Sequence, residues 1–74
     1  MKVRVKFVVY SYTIYAVFPD MIGKQKGMIV CYDLTLGKFT DAHKSMLRIK
    51  RATKDEYDLL YKQLERLGYK LEVI

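Results

Sequence analysis

Residues 52–74, ATKDEYDLLYKQLERLGYKLEVI, decide the fold because they combine a helix start, an amphipathic helix, a helix stop and a strand. Thr53 and Glu56 form an S/T-x-x-E capping box, in which each side chain accepts a hydrogen bond from the backbone N–H of the other residue. Gly68 is the residue type expected just beyond a helix end. Between these limits one apolar stripe repeats at helical period: Tyr57, Leu60, Tyr61, Leu64 and Leu67. We therefore predict a helix between Thr53 and Gly68.

Beyond Gly68 the apolar period changes to two, with Tyr69, Leu71 and Val73 on one side of a predicted strand. A helix with a single apolar stripe is marginally stable alone and has to pack on another element. In a chain of 74 residues, that element is a sheet built from the first fifty residues.

The first twenty residues contain two alternating patterns of opposite phase. Odd-numbered positions from 3 to 9 are apolar, whereas the apolar set from 12 to 18 is even-numbered. A shift of one residue turns every side chain to the other face of a sheet, so two strands are predicted here. Neither Ser11 nor Tyr12 is a preferred tight-turn residue, so a turn and a bulge both remain open for residues 10–13.

The middle of the chain is less regular. Residues 28–32 form a compact apolar run typical of a central strand. Met46, Leu47 and Ile49 fit either a short strand or an extended connector, and residues 33–45 show the least regular pattern. The predicted fold is α+β, a single domain over residues 1–74. In it a mainly antiparallel sheet of four to five short strands is covered on one face by one C-terminal helix, in the order β-β-β-(β)-α-β.

The net charge of +6 is unevenly distributed along the chain. Residues 1–54 carry eleven Lys or Arg against three Asp or Glu, and residues 55–74 carry three against five. The basic excess therefore belongs to the predicted sheet, and we expect it on the uncovered sheet face. Such a balance favours acidic partners, nucleic acid first, and also keeps a small protein in solution.

The single cysteine and one apolar run indicate the cellular compartment of the protein. Cys31 has no intramolecular disulfide partner, which favours a reducing compartment. The apolar run over residues 7–18 is too short to cross a bilayer and contains several tyrosines. We expect a cytoplasmic protein that does not enter the membrane.

The residue pattern gives little support for a catalytic site or a metal site. One His and one Cys are too few for a zinc site. Asp41, His43 and Ser45 lie within one short segment, whereas a catalytic triad converges from separate elements. The glycine-bracketed loop at residues 23–27 lacks the Lys-Ser/Thr pair of a phosphate-binding loop. We predict a protein that is not an enzyme and holds no cofactor or metal, with Cys31 as a small buried hydrophobe.

Several segments together resemble a known family: residues 15–19 (YAVFP), Cys31-Tyr32, and the run from Arg51 through Glu56, Leu60 and Leu64 to Leu71. They are similar to short conserved bacterial proteins, often encoded on mobile elements, which have no assigned biochemical role. The family pattern reads LFP, then C-x-SYAHVGQH, then A-T-x-x-E-Y-x-x-L-x-x-E-L and GY-x-L.

The resemblance has one clear gap. Residues 33–38, DLTLGK, stand where the family has its histidine- and glutamine-bearing segment. The resemblance therefore implies a shared fold and a bacterial or mobile-element setting, and it carries no activity to this chain.

Two binding hypotheses follow from composition and charge. The first is a non-catalytic protein-interaction module, self-association included, because seven Tyr and three Phe exceed what a thin core needs and Tyr is enriched at interfaces. The alternative is a nucleic-acid-binding protein that uses a basic sheet face. Two simpler explanations also remain open: the aromatic residues fill the core, and the cations only prevent aggregation. The candidate surface comprises Lys2, Arg4, Lys6, Tyr10, Tyr12, Tyr15, Arg48, Lys50 and Arg51.

Overall fold

The computed structural model describes residues 2–74 and contains one five-stranded sheet. Its strands are β1 Val3–Tyr10, β2 Thr13–Ile22, β3 Met28–Asp33, β4 Lys38–His43 and β5 Leu71–Val73. A 3₁₀ helix spans Lys44–Arg48, and the helix α1 spans Lys54–Arg66. The strands lie in the order β4-β3-β2-β1-β5, antiparallel except for the parallel β1–β5 pair. The predicted α+β fold and element order are confirmed.

A two-residue turn joins β1 to β2. Tyr10 pairs with Thr13, and the two residues between them have φ of 50° and 64°. Two consecutive positive φ values define a type I′ turn, whose twist matches that of the flanking strands. The phase change in the sequence is therefore a hairpin, and a bulge is excluded at this position.

One face of the sheet, which we call the helix face, is covered by α1. The predicted capping box is present: the Thr53 N–H donates to Glu56 Oε1 at 2.7 Å, and the Glu56 N–H donates to Thr53 Oγ1 at 3.3 Å. Leu60 and Leu64 are fully buried against the sheet. Gly68 has the left-handed φ of 100° expected after the helix.

The predicted apolar stripe is one residue too long. Leu67 lies at the helix C-cap and is 49% exposed, where the helix ends and the chain turns through Gly68 toward β5. The helix is therefore attached mainly through its first three turns.

The opposite face of the sheet, called the second face, is partly covered by residues 44–52, the crossing segment. β4 and β1 are three strands apart, so the chain must cross this face to reach the start of α1. Met46, Leu47 and Ile49 pack there on a second apolar cluster. The segment ends along β1, where the Val9 N–H donates to Lys50 O at 3.2 Å.

Two expectations are corrected by this arrangement. The fourth strand lies at Lys38–His43, inside the stretch that looked least regular, and residues 46–49 form the end of a 3₁₀ helix and a connector. The second face is also not an open basic surface, because the crossing segment covers part of it. Burial of the apolar residues of that segment stabilises this position.

Candidate binding surface

Three of the candidate tyrosines gather around the β1–β2 turn. Tyr12, in the turn itself, is exposed to 103% of its reference area, and Tyr10 is 53% exposed. Tyr15 lies on the second face beside Tyr10, with 6.5 Å between their ring centroids. Tyr10 and Tyr12 therefore contribute little to the core and remain available for contact, whereas Tyr15 is half-buried against the second apolar cluster.

The crossing segment brings three candidate cations to the same end of β1. Lys50 is held beside Val9 by the backbone hydrogen bond given above, and Arg51 forms an isolated bridge with Val8. Arg48 ends the 3₁₀ helix just before them. All three side chains are exposed. We call this surface the tyrosine end: Tyr10, Tyr12, Tyr15, Arg48, Lys50 and Arg51.

A groove of about 410 Å³ opens on the second face next to the tyrosine end. Tyr10 and Tyr15 line it together with Met46 and Ile49 of the crossing segment. Its remaining lining residues are Cys31, Asp33, Thr40, Asp41, Ala42, His43 and Ser45. The size and the mainly apolar walls suit one or two apolar side chains of a partner.

The groove is poorly suited to nucleophilic chemistry. Burial, together with the Asp33 and Asp41 carboxylates, raises the pKa of the Cys31 thiol. The thiol is therefore protonated at neutral pH, and its burial confirms the prediction of a small core hydrophobe. Burial also raises the pKa of the Tyr15 phenol, and nearby Asp33 adds to this effect.

Asp33 is the one buried charged residue of the described chain, with 8% exposure. Its carboxylate accepts hydrogen bonds from the backbone N–H groups of Thr35 at 2.9 Å and Leu36 at 3.3 Å. These bonds fix the β3–β4 turn, so Asp33 shapes one end of the groove through the backbone.

The other three candidate residues lie away from the tyrosine end, and two of them already have polar partners. Arg4 forms an ion pair with Asp20 at 3.2 Å. Lys6 is half-buried, and its Nζ donates to the backbone carbonyl of Leu47. Lys2 is exposed at the far end of β1. The basic stripe predicted along β1 is therefore interrupted, because Lys6 holds the crossing segment in place.

Asp41, His43 and Ser45 do not assemble as a triad. His43 Nδ1 lies 2.9 Å from Ser45 Oγ. The Asp41 carboxylate instead accepts the backbone N–H groups of Lys24 at 2.8 Å and Gln25 at 2.7 Å. Gly23 permits this contact, because a Cβ there would lie 2.7 Å from Asp41 Oδ1. Asp41 thus fixes the β2–β3 loop to β4.

The Asp41 contact makes part of the stability acid-sensitive. The hydrogen bonds from Gln25 and then Lys24 lower the pKa of Asp41 below its ordinary value. A lowered folded-state pKa stabilises the fold above the unfolded pKa of about 3.9, and this contribution is lost as pH falls through the folded value. We expect the urea midpoint of Asp41→Asn to lie below that of wild type at pH 7, and the difference to shrink as the pH approaches 3.

Glu65→Gln is the matched control, because Glu65 is exposed and makes no side-chain hydrogen bond or ion pair within residues 2–74. Its midpoint should follow that of wild type at each pH. An Asp41→Asn midpoint that runs parallel to wild type across this range would contradict the role assigned to the carboxylate. Glu56 also has a lowered pKa, from hydrogen bonds with Thr53, and adds the same acid dependence to all three proteins.

The groove itself could not be read from the sequence. Met46 and Ile49 stand out only as apolar residues in a connector, and nothing in the pattern places them opposite Tyr10 and Tyr15. A usable signal was Asp33 two residues before Thr35, which is typical of an Asx turn and would have placed a hairpin after β3.

Comparison with protein-family models, curated proteins and solved structures finds no match. The family resemblance noted in the sequence therefore stays a prediction. Across residues 2–74 no helix is long and apolar enough to cross a membrane. Within the same residues no three His, Cys, Asp or Glu side chains cluster as metal ligands would.

Proposed function

We propose that this protein is a non-catalytic protein-interaction module whose tyrosine end binds an acidic protein segment. One observation carries the proposal: Tyr10, Tyr15 and the crossing segment line a mainly apolar groove, and exposed cations lie at the same end of β1. We further propose a bacterial, cytoplasmic setting, which rests on the lone Cys31 and on the family resemblance.

Tyrosine suits such a surface because it combines a large rigid ring with a polar hydroxyl at low entropic cost. The position of Tyr12 supports this role. It occupies a left-handed backbone conformation that Gly or Asn adopts more easily, and its side chain is fully exposed. A residue that costs stability and packs on nothing is more easily explained by binding than by folding.

The charge of the surface indicates the chemistry of the partner. Lys50 and Arg51 lie beside Val9 and Val8 at the Tyr10 end of β1, Arg48 shortly precedes them in the chain, and all three are exposed. The whole chain carries +6. Complementary charge accelerates encounter and fixes the orientation of a bound segment. The expected ligand is a peptide segment with an apolar side chain for the groove and Asp or Glu beside it.

Nucleic acid is the second candidate, and the full exposure of Tyr12 beside cations favours it. Single-stranded nucleic acid is bound by aromatic stacking together with a positively charged track. The track here is short, because Arg4 is paired with Asp20 and Lys50 lies near Glu56. The apolar side chains of the groove also make no favourable contact with a phosphate backbone. We therefore place the protein ligand first.

Selection of short random peptides displayed on phage tests the proposal directly. We expect wild-type protein to enrich peptides with acidic residues flanking an apolar one. Enrichment should be lost with the double variant Tyr10→Ser/Tyr12→Ser. Leu59→Ser is the matched control, because Leu59 is also exposed (63%) but lies on α1, over the opposite face of the sheet. This control should enrich the same peptides as wild type.

A fluorescein-labelled oligo-dT probe forms the second arm of this experiment. Binding to oligo-dT that falls steeply between about 50 and 200 mM salt and depends on Tyr12 would favour nucleic acid as the ligand. Failure to enrich any peptide family, or equal enrichment by the Tyr10→Ser/Tyr12→Ser variant, would overturn the protein-binding proposal.

A further inference from the structure

β4 presents an open backbone edge along its outer side, although its residues Thr40 to His43 also help to line the groove on the second face. Along a strand, the N–H and C=O groups of successive residues point to alternate lateral sides. The odd residues of β1 direct theirs away from β2, as the bonds of Val9 to Lys50 and of Ala52 to Phe7 demonstrate. Carried through the pairings of β1, β2, β3 and β4, this alternation leaves the backbone groups of Phe39, Asp41 and His43 pointing outward.

These outward groups lack a strand partner among residues 2–74, since β4 pairs only with β3. Natural edge strands are usually guarded by shortness, Pro, bulges or several charges. The opposite edge strand, β5, is only three residues long. β4 has six residues, no Pro and no bulge, and Lys38 is its only Lys or Arg. It is the less protected edge of the two.

The charge of β4 also suits the approach of a like molecule. The chain carries +6 overall, which opposes association of two copies. Within β4, Lys38 and Asp41 cancel, so this edge is locally neutral. Exposed apolar side chains lie beside it: Ile22 (89% exposed) and Phe39 (38% exposed) line a groove of about 630 Å³ along the strand.

We propose that β4 pairs with β4 of a second copy of this chain, antiparallel and across a two-fold axis at Thr40. Each Thr40 then faces Thr40 of the other copy, a favourable cross-strand pair. Phe39 of one copy forms a hydrogen-bonded pair with Asp41 of the other, and Lys38 lies opposite Ala42. The two sheets become one continuous ten-stranded sheet, with four new backbone hydrogen bonds at its centre.

Neighbouring registers are less favourable. A two-fold axis normal to the sheet places the same face of both copies on the same side of the joined sheet. Residues directly opposite each other must therefore both be even-numbered or both be odd-numbered. An axis at Asp41 would place two aspartates directly opposite each other. An axis at Phe39 would require Gly37 to pair as a strand residue, although Gly37 has a φ of 65° in the turn. An axis at Thr40 avoids both costs and pairs five of the six residues of β4.

Disulfide trapping tests the register. The background is Cys31→Ala, because residue 31 is the cross-strand neighbour of residue 40 and would otherwise capture an introduced thiol. In the proposed dimer the two residues at position 40 have Cα atoms about 4.5 Å apart, within the range of a disulfide. Thr40→Cys should therefore form a disulfide-linked dimer under mild oxidation.

Lys38→Cys is the matched control. Its counterpart in the other copy lies four residues along the strand, roughly 13 Å away, which is too far for a disulfide. We expect no disulfide-linked dimer of this variant under the same oxidation. Cross-linking of Lys38→Cys in place of Thr40→Cys would overturn the proposed pairing.

Wild-type protein provides a second measurement that needs no variant. Amide exchange of Phe39 and Asp41 should slow as protein concentration rises, because these N–H groups become hydrogen-bonded only in the dimer, and sedimentation should show dimers at the same concentrations. A strict monomer with unchanged exchange would overturn the inference. Tyr10→Ser/Tyr12→Ser should dimerise as wild type does, so the outcome for β4 is separate from that for the tyrosine end.

Discussion

Phe7→Ala is expected to lower the free energy of unfolding by about 3–5 kcal/mol, the largest single effect we predict. Phe7 is 1% exposed in the centre of β1. Its ring stacks on Tyr57 of α1 with centroids 4.2 Å apart and lies 6.2 Å from the ring of Tyr61. Removing it leaves a cavity between sheet and helix. A chain of this length has a total stability of roughly 4–11 kcal/mol, so the variant should be largely unfolded or close to it.

Urea denaturation followed by far-UV circular dichroism measures this loss, with Phe7→Leu as an intermediate case that keeps most of the volume. Leu59→Ala is the matched control, because Leu59 lies on the outer side of the same helix and is 63% exposed. It should change stability by no more than about 0.5 kcal/mol. Equal effects of Phe7→Ala and Leu59→Ala would show that α1 does not pack on β1 through this ring.

The turn offers the largest expected gain. Ser11→Asn together with Tyr12→Gly should raise the free energy of unfolding by about 1–2 kcal/mol, because both native residues have positive φ and Asn-Gly is the preferred type I′ turn sequence. Thermal and urea unfolding of the double variant measure the gain. Lower stability in the double variant would mean that the turn is not of this type.

The same substitutions separate stability from binding. Ser11→Asn alone keeps Tyr12 and should stabilise the fold without loss of peptide binding. Tyr12→Gly alone should stabilise the fold and weaken binding, because it removes a fully exposed ring of the tyrosine end. Such opposite effects at one position are typical of a residue retained for function. If Tyr12→Gly bound peptides as tightly as wild type, Tyr12 would have no part in the site.

The candidate surface was only partly readable from the sequence. The tyrosines at positions 10, 12 and 15 could be singled out because they are close together in the chain and near a predicted turn. Arg48, Lys50 and Arg51 are more than thirty residues away in sequence, and only the hydrogen bonds of the crossing segment to β1 bring them to the same place. The sequence does not separate Lys6 from the exposed cations, because a half-buried lysine bonded to a carbonyl has the same sequence pattern as an exposed one.

The elements with local signals were predictable from consecutive residues: the capped helix, its glycine stop, the phase change between β1 and β2, and hence the α+β class. Capping and periodicity act over a few residues, so they are written in consecutive positions. Four features emerge only when the chain is folded: the parallel β5, the path of residues 44–52 over the second face, the groove beside Tyr10 and the open edge of β4. These depend on contacts between residues distant in the chain, where several arrangements satisfy the same local pattern and packing selects one of them.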